Sequence, residues 1–70
     1  MKRISVISSV IRSVGYDKST SRLEIEFENG SVYEYSGVSE EVNTALMSAN
    51  SKGNYFDTVI RPSHDCRRLL

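Results

Sequence analysis

One cysteine, one histidine and one proline stand in this sequence of 70 residues, and it has no long apolar run. Each shortage excludes something. With Cys66 alone there is no intramolecular disulfide, and a single thiol fits a reducing, cytosolic compartment. One histidine and one cysteine fall short of the four ligands of a structural zinc site, so neither metal nor cofactor is expected. No run approaches the ~18 apolar residues of a membrane span, and Met1-Lys2-Arg3-Ile4-Ser5-Val6-Ile7-Ser8 lacks the apolar centre of a signal peptide. The expectation is a soluble cytoplasmic chain with no membrane partner. Repeats and low-complexity segments are also missing, and the length suits one domain, residues 1–70. A domain of this size buries only ~60% of its unfolded surface, so its core is marginal.

Charge of either sign is not in excess, but it is unevenly placed. Residues 1–19 carry Lys2, Arg3, Arg12 and Lys18 against Asp17, a balance of +3. Residues 20–42 carry Arg22 against Glu24, Glu26, Glu28, Glu34, Glu40 and Glu41, a balance of −5. Residues 43–70 return to +2, with Lys52, Arg61, Arg67 and Arg68 against Asp57 and Asp65. Two readings stand side by side. Basic ends attract an anionic ligand near the termini, or they fold over the acidic centre and neutralise it.

That acidic centre is the clearest local signal. Leu23-Glu24-Ile25-Glu26-Phe27 and Val32-Tyr33-Glu34-Tyr35 alternate in polarity and are joined through Asn29-Gly30, a strong hairpin signal because both residues tolerate positive φ. The loop length decides which way the tyrosines face. A two-residue turn sets Ile25 opposite Glu34 and leaves Tyr33 and Tyr35 on the face of Glu24 and Glu26. A three-residue loop, Glu28-Asn29-Gly30 with a left-handed Gly30, sets Tyr33 opposite Ile25 and Tyr35 opposite Leu23. The second opposes Glu24 to Glu34 at a cost of up to ~1 kcal/mol, whereas burying each ring contributes roughly 1.5–3 kcal/mol. The bulged loop is therefore expected.

Before the hairpin, Ile4 and Val6, then Val10, Val14 and Tyr16, read as one strand interrupted at Ser8-Ser9 or as two short ones. After it, Ser39 is an N-cap with Glu40 and Glu41 in the first turn, and Val42, Ala45, Leu46 and Ala49 recur with helical spacing. A helix over about 40–50 is predicted. Ser51-Lys52-Gly53-Asn54 breaks it, and Tyr55, Phe56, Val59 and Ile60 line one side of a second short helix over about 53–60, ending before Pro62. Residues 63–70 show no periodicity and read as a candidate mobile tail. The expected fold is α+β: a three-stranded antiparallel meander packed against the first helix, with the second following.

In their order and spacing several of these pieces resemble the KTSC domain. They are Ser8-Ser9 with Ile11, Gly15-Tyr16-Asp17, the Leu23–Phe27 strand with Asn29-Gly30, the Tyr33-Glu34-Tyr35 centre, Leu46 and Ala49, Ser51-Lys52-Gly53, Tyr55-Phe56 and Ile60-Arg61. The resemblance runs from about Ser8 to Arg61. It implies a short module found at the C-terminus of some lysyl-tRNA synthetases and as free-standing small bacterial and phage proteins. The family's function is unknown, with RNA binding suggested by the synthetase fusions, and no catalytic residue can be carried over. This chain departs from the family at Ser39, where proline is usual, at Asn43, where tyrosine is usual, and near His64 and Cys66, where the family ending is aromatic-rich.

The candidate sites are few. Lys52, Gly53, Arg61, Arg67 and Arg68 are the hypothetical nucleic-acid contacts, as phosphate-binding cations beside a helix start. Ser51-Lys52-Gly53 lacks the long glycine-rich cradle of a P-loop, and a capped inter-helix turn is the preferred reading of it. Either hairpin register argues against Tyr33 and Tyr35 as a base-stacking platform, since the rings face the core in the bulged one and share a face with Glu24 and Glu26, which repel phosphates, in the tight one. His64-Asp65-Cys66 holds the residue types of a thiol catalytic set, but adjacent residues rarely meet in the geometry it requires. The expected function is thus non-enzymatic: weak binding of RNA, tRNA included, or other nucleic acid through basic ends. The alternative is a protein-interaction or self-associating domain with an uncovered sheet face and open edges.

Overall fold

The computed structural model describes all 70 residues, and in it the hairpin takes the bulged register. Strand β3 (Arg22–Phe27) pairs with β4 (Val32–Tyr35) through Leu23↔Tyr35, Glu24↔Glu34 and Ile25↔Tyr33. Gly30 has φ +91°, its N–H donates to the Phe27 carbonyl at 2.9 Å, and the Phe27 N–H donates to the Ser31 carbonyl at 2.9 Å. Only glycine takes that φ without strain, which is how the loop turns both tyrosines to the apolar face.

The sheet is larger than the meander expected from the sequence. Five antiparallel strands lie in chain order, with β1 (Arg3–Ser5) and β2 (Ile11–Asp17) preceding the hairpin and β5 (Cys66–Arg68) following the helices. The apolar run before the hairpin is therefore two strands. Ser8 makes the break between them, its hydroxyl accepting from the Val10 and Ile11 N–H groups at 3.1 and 3.2 Å. The fifth strand corrects both the strand count and the reading of a mobile tail. Three residues with no apolar alternation carry no strand signal, yet β4 would otherwise leave its outer main-chain groups unpaired. Arg67 sits opposite Glu34, and the Leu69 N–H donates to the Val32 carbonyl at 2.8 Å.

Helix α1 (Glu40–Ser48) starts where the capping pattern places it, with the Ser39 hydroxyl accepting from the Val42 N–H at 3.2 Å. Helix α2 (Lys52–Tyr55) is capped likewise by Ser51 and runs on into a π turn, Phe56–Ile60, and a 3-10 turn, Arg61–Ser63. The second helical segment is thus longer and less regular than expected. Its wider π turn keeps Phe56 and Ile60 in the core and leaves Val59, expected on the same side, 38% exposed.

Both helical segments lie on one face of the sheet. Ile11, Val14, Leu23, Ile25 and Tyr35 from the strands meet Val38, Leu46, Phe56 and Ile60 there. The opposite face carries the charge. Arg3 reaches Glu24 at 3.7 Å, Arg12 reaches Glu26 and Glu28 at 3.7 and 3.5 Å, and Arg22 and Arg67 converge on Glu34 at 3.8 and 3.2 Å. A bulge in β2 between Ile11 and Ser13 turns Arg12 toward these carboxylates. Of the two readings of the charge pattern, neutralisation holds for this face. Partly exposed pairs of this kind contribute about 0–1 kcal/mol each, so they set strand alignment more than stability.

Candidate functional site

The helices do not cover the whole apolar face. Between the hairpin tip, β4, β5 and the start of the second helical segment an open groove of about 830 Å³ remains. Its apolar wall is aromatic: Phe27, Tyr33, Tyr35 and Phe56. The rings meet edge to face, with Phe27 at 5.9 Å from Tyr33 and 5.4 Å from Phe56, and Tyr35 at 5.2 Å from Phe56. Side-chain hydroxyls and amides of Ser9, Asn29, Ser31 and Asn54 stand around it. Arg61 supplies a positive charge, Glu28 and Asp57 two negative ones, and Cys66 closes one side.

The five expected contact residues are not one patch. Gly53 and Arg61 line the groove, and Lys52 stands next to Gly53 beside a smaller depression bounded by Ser8, Ser9 and Val10. Arg68 lies over the Tyr33 ring, 5.9 Å from its centroid. Arg67 points to the opposite face of the sheet and is spent on Glu34. Even the cations near the groove have partners, Arg61 with Asp57 at 2.7 Å and the Lys52 Nζ with the Ala49 carbonyl at 3.2 Å. Gly53 has a packing role of its own, since a Cβ there would sit 3.3 Å from the Val10 side chain.

The groove residues Ser9, Phe27, Asn29, Asn54 and Phe56 carry no signal of a site in the sequence, because they come together only across elements. The tyrosines did carry one. Tyr35 is packed in the core as expected, but Tyr33 is only half-buried and opens onto the groove. His64 caps the helical segment, its Nδ1 2.9 Å from the Ile60 carbonyl and 3.0 Å from the Ser63 hydroxyl, and Cys66 is an exposed strand residue. No three His, Cys, Asp or Glu side chains gather closely enough to hold a metal ion. No helix is long and apolar enough to cross a membrane.

Two ionisable groups are displaced from their ordinary range. Asp17 is lowered, chiefly because its carboxylate accepts from the Ser19 hydroxyl at 2.7 Å and also from the Ser19 N–H. Tyr35 is pushed up to about 12, first by burial and then by the neighbouring Cys66 and Tyr33. A phenol raised in the folded state stays neutral there while the unfolded chain ionises near pH 10, so folding stability falls as pH rises from about 10 to about 12. Chemical denaturation at a series of alkaline pH values is expected to show this decline, and Tyr35→Phe to remove its tyrosine component.

The KTSC domain matches residues 7–64. An uncharacterised protein of Stutzerimonas stutzeri is 45% identical over 64 residues, covering 91% of this chain and 90% of that protein. A lysine–tRNA ligase of Nostoc punctiforme is 45% identical over 53 residues, 76% of this chain but 9% of the ligase. The crystal structure of a KTSC domain protein from Yersinia pestis superposes with a TM-score of 0.93 at 46% identity, covering 99% of this chain and 97% of that one. An α+β unit of five antiparallel strands and two helical segments is therefore shared with a solved relative, and this chain belongs to the KTSC domain family.

Proposed function

We propose that this domain is a non-enzymatic accessory module that binds single-stranded RNA weakly, taking one unstacked base into the aromatic groove. The observation that carries this reading is the groove itself, a row of aromatic rings edged by amide and hydroxyl groups. Rings of this kind stack or pack against any base, and the polar edge suits the base's hydrogen-bonding atoms. Glu28 and Asp57 make the interior unsuited to a phosphate, so the backbone is placed outside, toward Lys52 and Arg68. Arg67 lies on the far face beside Glu34 and takes no part in this reading. The similarity to a segment of lysine–tRNA ligases favours RNA as the nucleic acid, and the single thiol suits a cytoplasmic setting.

The test is an NMR titration of labelled protein with tRNA and with a mixed single-stranded oligonucleotide, at low and at physiological salt. Shifts are expected at Tyr33, Gly53, Asn54 and Arg61, weaker at the higher salt. Tyr33→Ala is expected to cost about 1–3 kcal/mol of binding. Lys52→Ala is expected to lower the slope of log affinity against log salt by about 0.7 for a single strand. No shifts at low salt, or shifts confined to the Glu24–Glu26–Glu34 face, would sink this reading.

A further inference from the structure

The edge of the sheet farthest from the groove is open and carries exposed apolar side chains. The Val6 N–H donates to the Arg12 carbonyl at 3.1 Å, and Ile4 sits opposite Val14. In an antiparallel ladder the paired residues alternate, so Ile4 and Val6 spend their main-chain groups on β2 while those of Arg3 and Ser5 point outward. Nothing in the fold covers them. Proteins usually blunt such an edge with a short strand, lysine, proline or a bulge; β1 is only three residues long and begins at Arg3, beside Lys2, but it has no proline or bulge. Here it carries Met1, Ile4 and Ile7 at 53%, 58% and 99% exposure.

We infer that this edge is a self-association surface, on which residues 1–7 of a second copy of the chain pair antiparallel across a two-fold axis at Ile4. The register is self-complementary. Arg3 and the partner's Ser5 exchange the outward main-chain hydrogen bonds, and Ile4 meets the partner's Ile4 at the close, non-hydrogen-bonded position. Met1 comes opposite the partner's Ile7, on the outer face where Met1 already lies against Gly15. The exposed apolar side chains are thereby matched to one another, and no like charges are opposed. The other edge is a poorer candidate, because the same operation centred on Arg67 would face two guanidiniums, and Leu69 and Leu70 are already hydrogen-bonded to Val32. Beside Ile4 lies a shallow depression bounded by Tyr16, Asn43 and Met47, which the partner's Ile4 borders. The result is a continuous ten-stranded sheet, with one groove at each outer end. Two short edges bury less than the ~1,200 Å² of a stable complex, so the dimer is weak and forms with rising concentration.

The test uses the full chain in sedimentation and light scattering from micromolar to millimolar concentration, with amide hydrogen exchange at both ends of the range. Mass is expected to rise toward twice the monomer while the Arg3 and Ser5 amides slow in exchange. Ile4→Lys, at a side chain more than half exposed, is expected to melt like the parent and remain monomeric at every concentration. Arg68→Glu, at the opposite edge, leaves the dimer intact. A monomer at millimolar concentration overturns the inference. So does a dimer that survives Ile4→Lys, or a rise in mass with no slowing at Arg3 and Ser5.

Discussion

Ile25→Ala lowers the stability of this domain by about 2–5 kcal/mol, the range for removing a buried branched side chain and leaving a cavity. Ile25 is fully buried on the central strand β3, between Val14 on one side and Tyr33 on the other. A sheet with strands on both flanks cannot collapse into the vacated space, which places the expected loss in the upper half of the range. Chains of this size have roughly 4–10 kcal/mol in total at 0.05–0.15 kcal/mol per residue, so one substitution removes a large share. Each kcal/mol lowers Tm by about 4–8 °C in a domain of this length. Urea unfolding followed by circular dichroism measures it, and Ile25→Val, expected at about 0.5–1.5 kcal/mol, calibrates it. A loss below 1 kcal/mol for the alanine variant would show that the helical layer closes over the gap.

Phe56→Ala is expected to cost about 3–5 kcal/mol and to damage the groove at the same time. Phe56 stands in the π turn, 4% exposed, with its ring edge to face against both Phe27 and Tyr35. It is the one side chain that joins the helical segment to two different strands by aromatic contact. Such pairs contribute about 0.5–1.5 kcal/mol each beyond burial. Phe56→Leu separates the two roles. It keeps most of the volume, so thermal melting should show a loss nearer to the aromatic pairs alone, while oligonucleotide binding weakens because the groove loses a ring. Unchanged binding by a folded Phe56→Leu variant would remove this ring from the proposed base site.

Elements built from near neighbours were legible in the chain. The hairpin register followed from weighing one Glu24↔Glu34 opposition against two buried rings, and Gly30 takes the left-handed conformation that this register demands. Ser39 and Ser51 cap their helices with their own hydroxyls. Each is a contest decided within a few residues, where spacing and side-chain chemistry are sufficient. Strand β5 was not legible, because Cys66, Arg67 and Arg68 have neither alternation nor β-branched residues. Their strand conformation comes from the open edge of β4 and from Glu34.

The same distinction runs through the site. Composition alone excluded a disulfide and a structural zinc site, and the charge pattern limited the ligand question to whether the basic ends were free or folded inward. Only the tertiary structure decided that Arg67 is consumed on the charged face while Gly53 and Arg61 meet Tyr33 across a groove. The physical reason is the range of the interactions. Alternation, capping and turn chemistry act within about one turn or one strand pair, whereas the groove is the space left between the second helical segment, the hairpin tip and β4 and β5. That space belongs to no segment of the chain, and no local pattern encodes it.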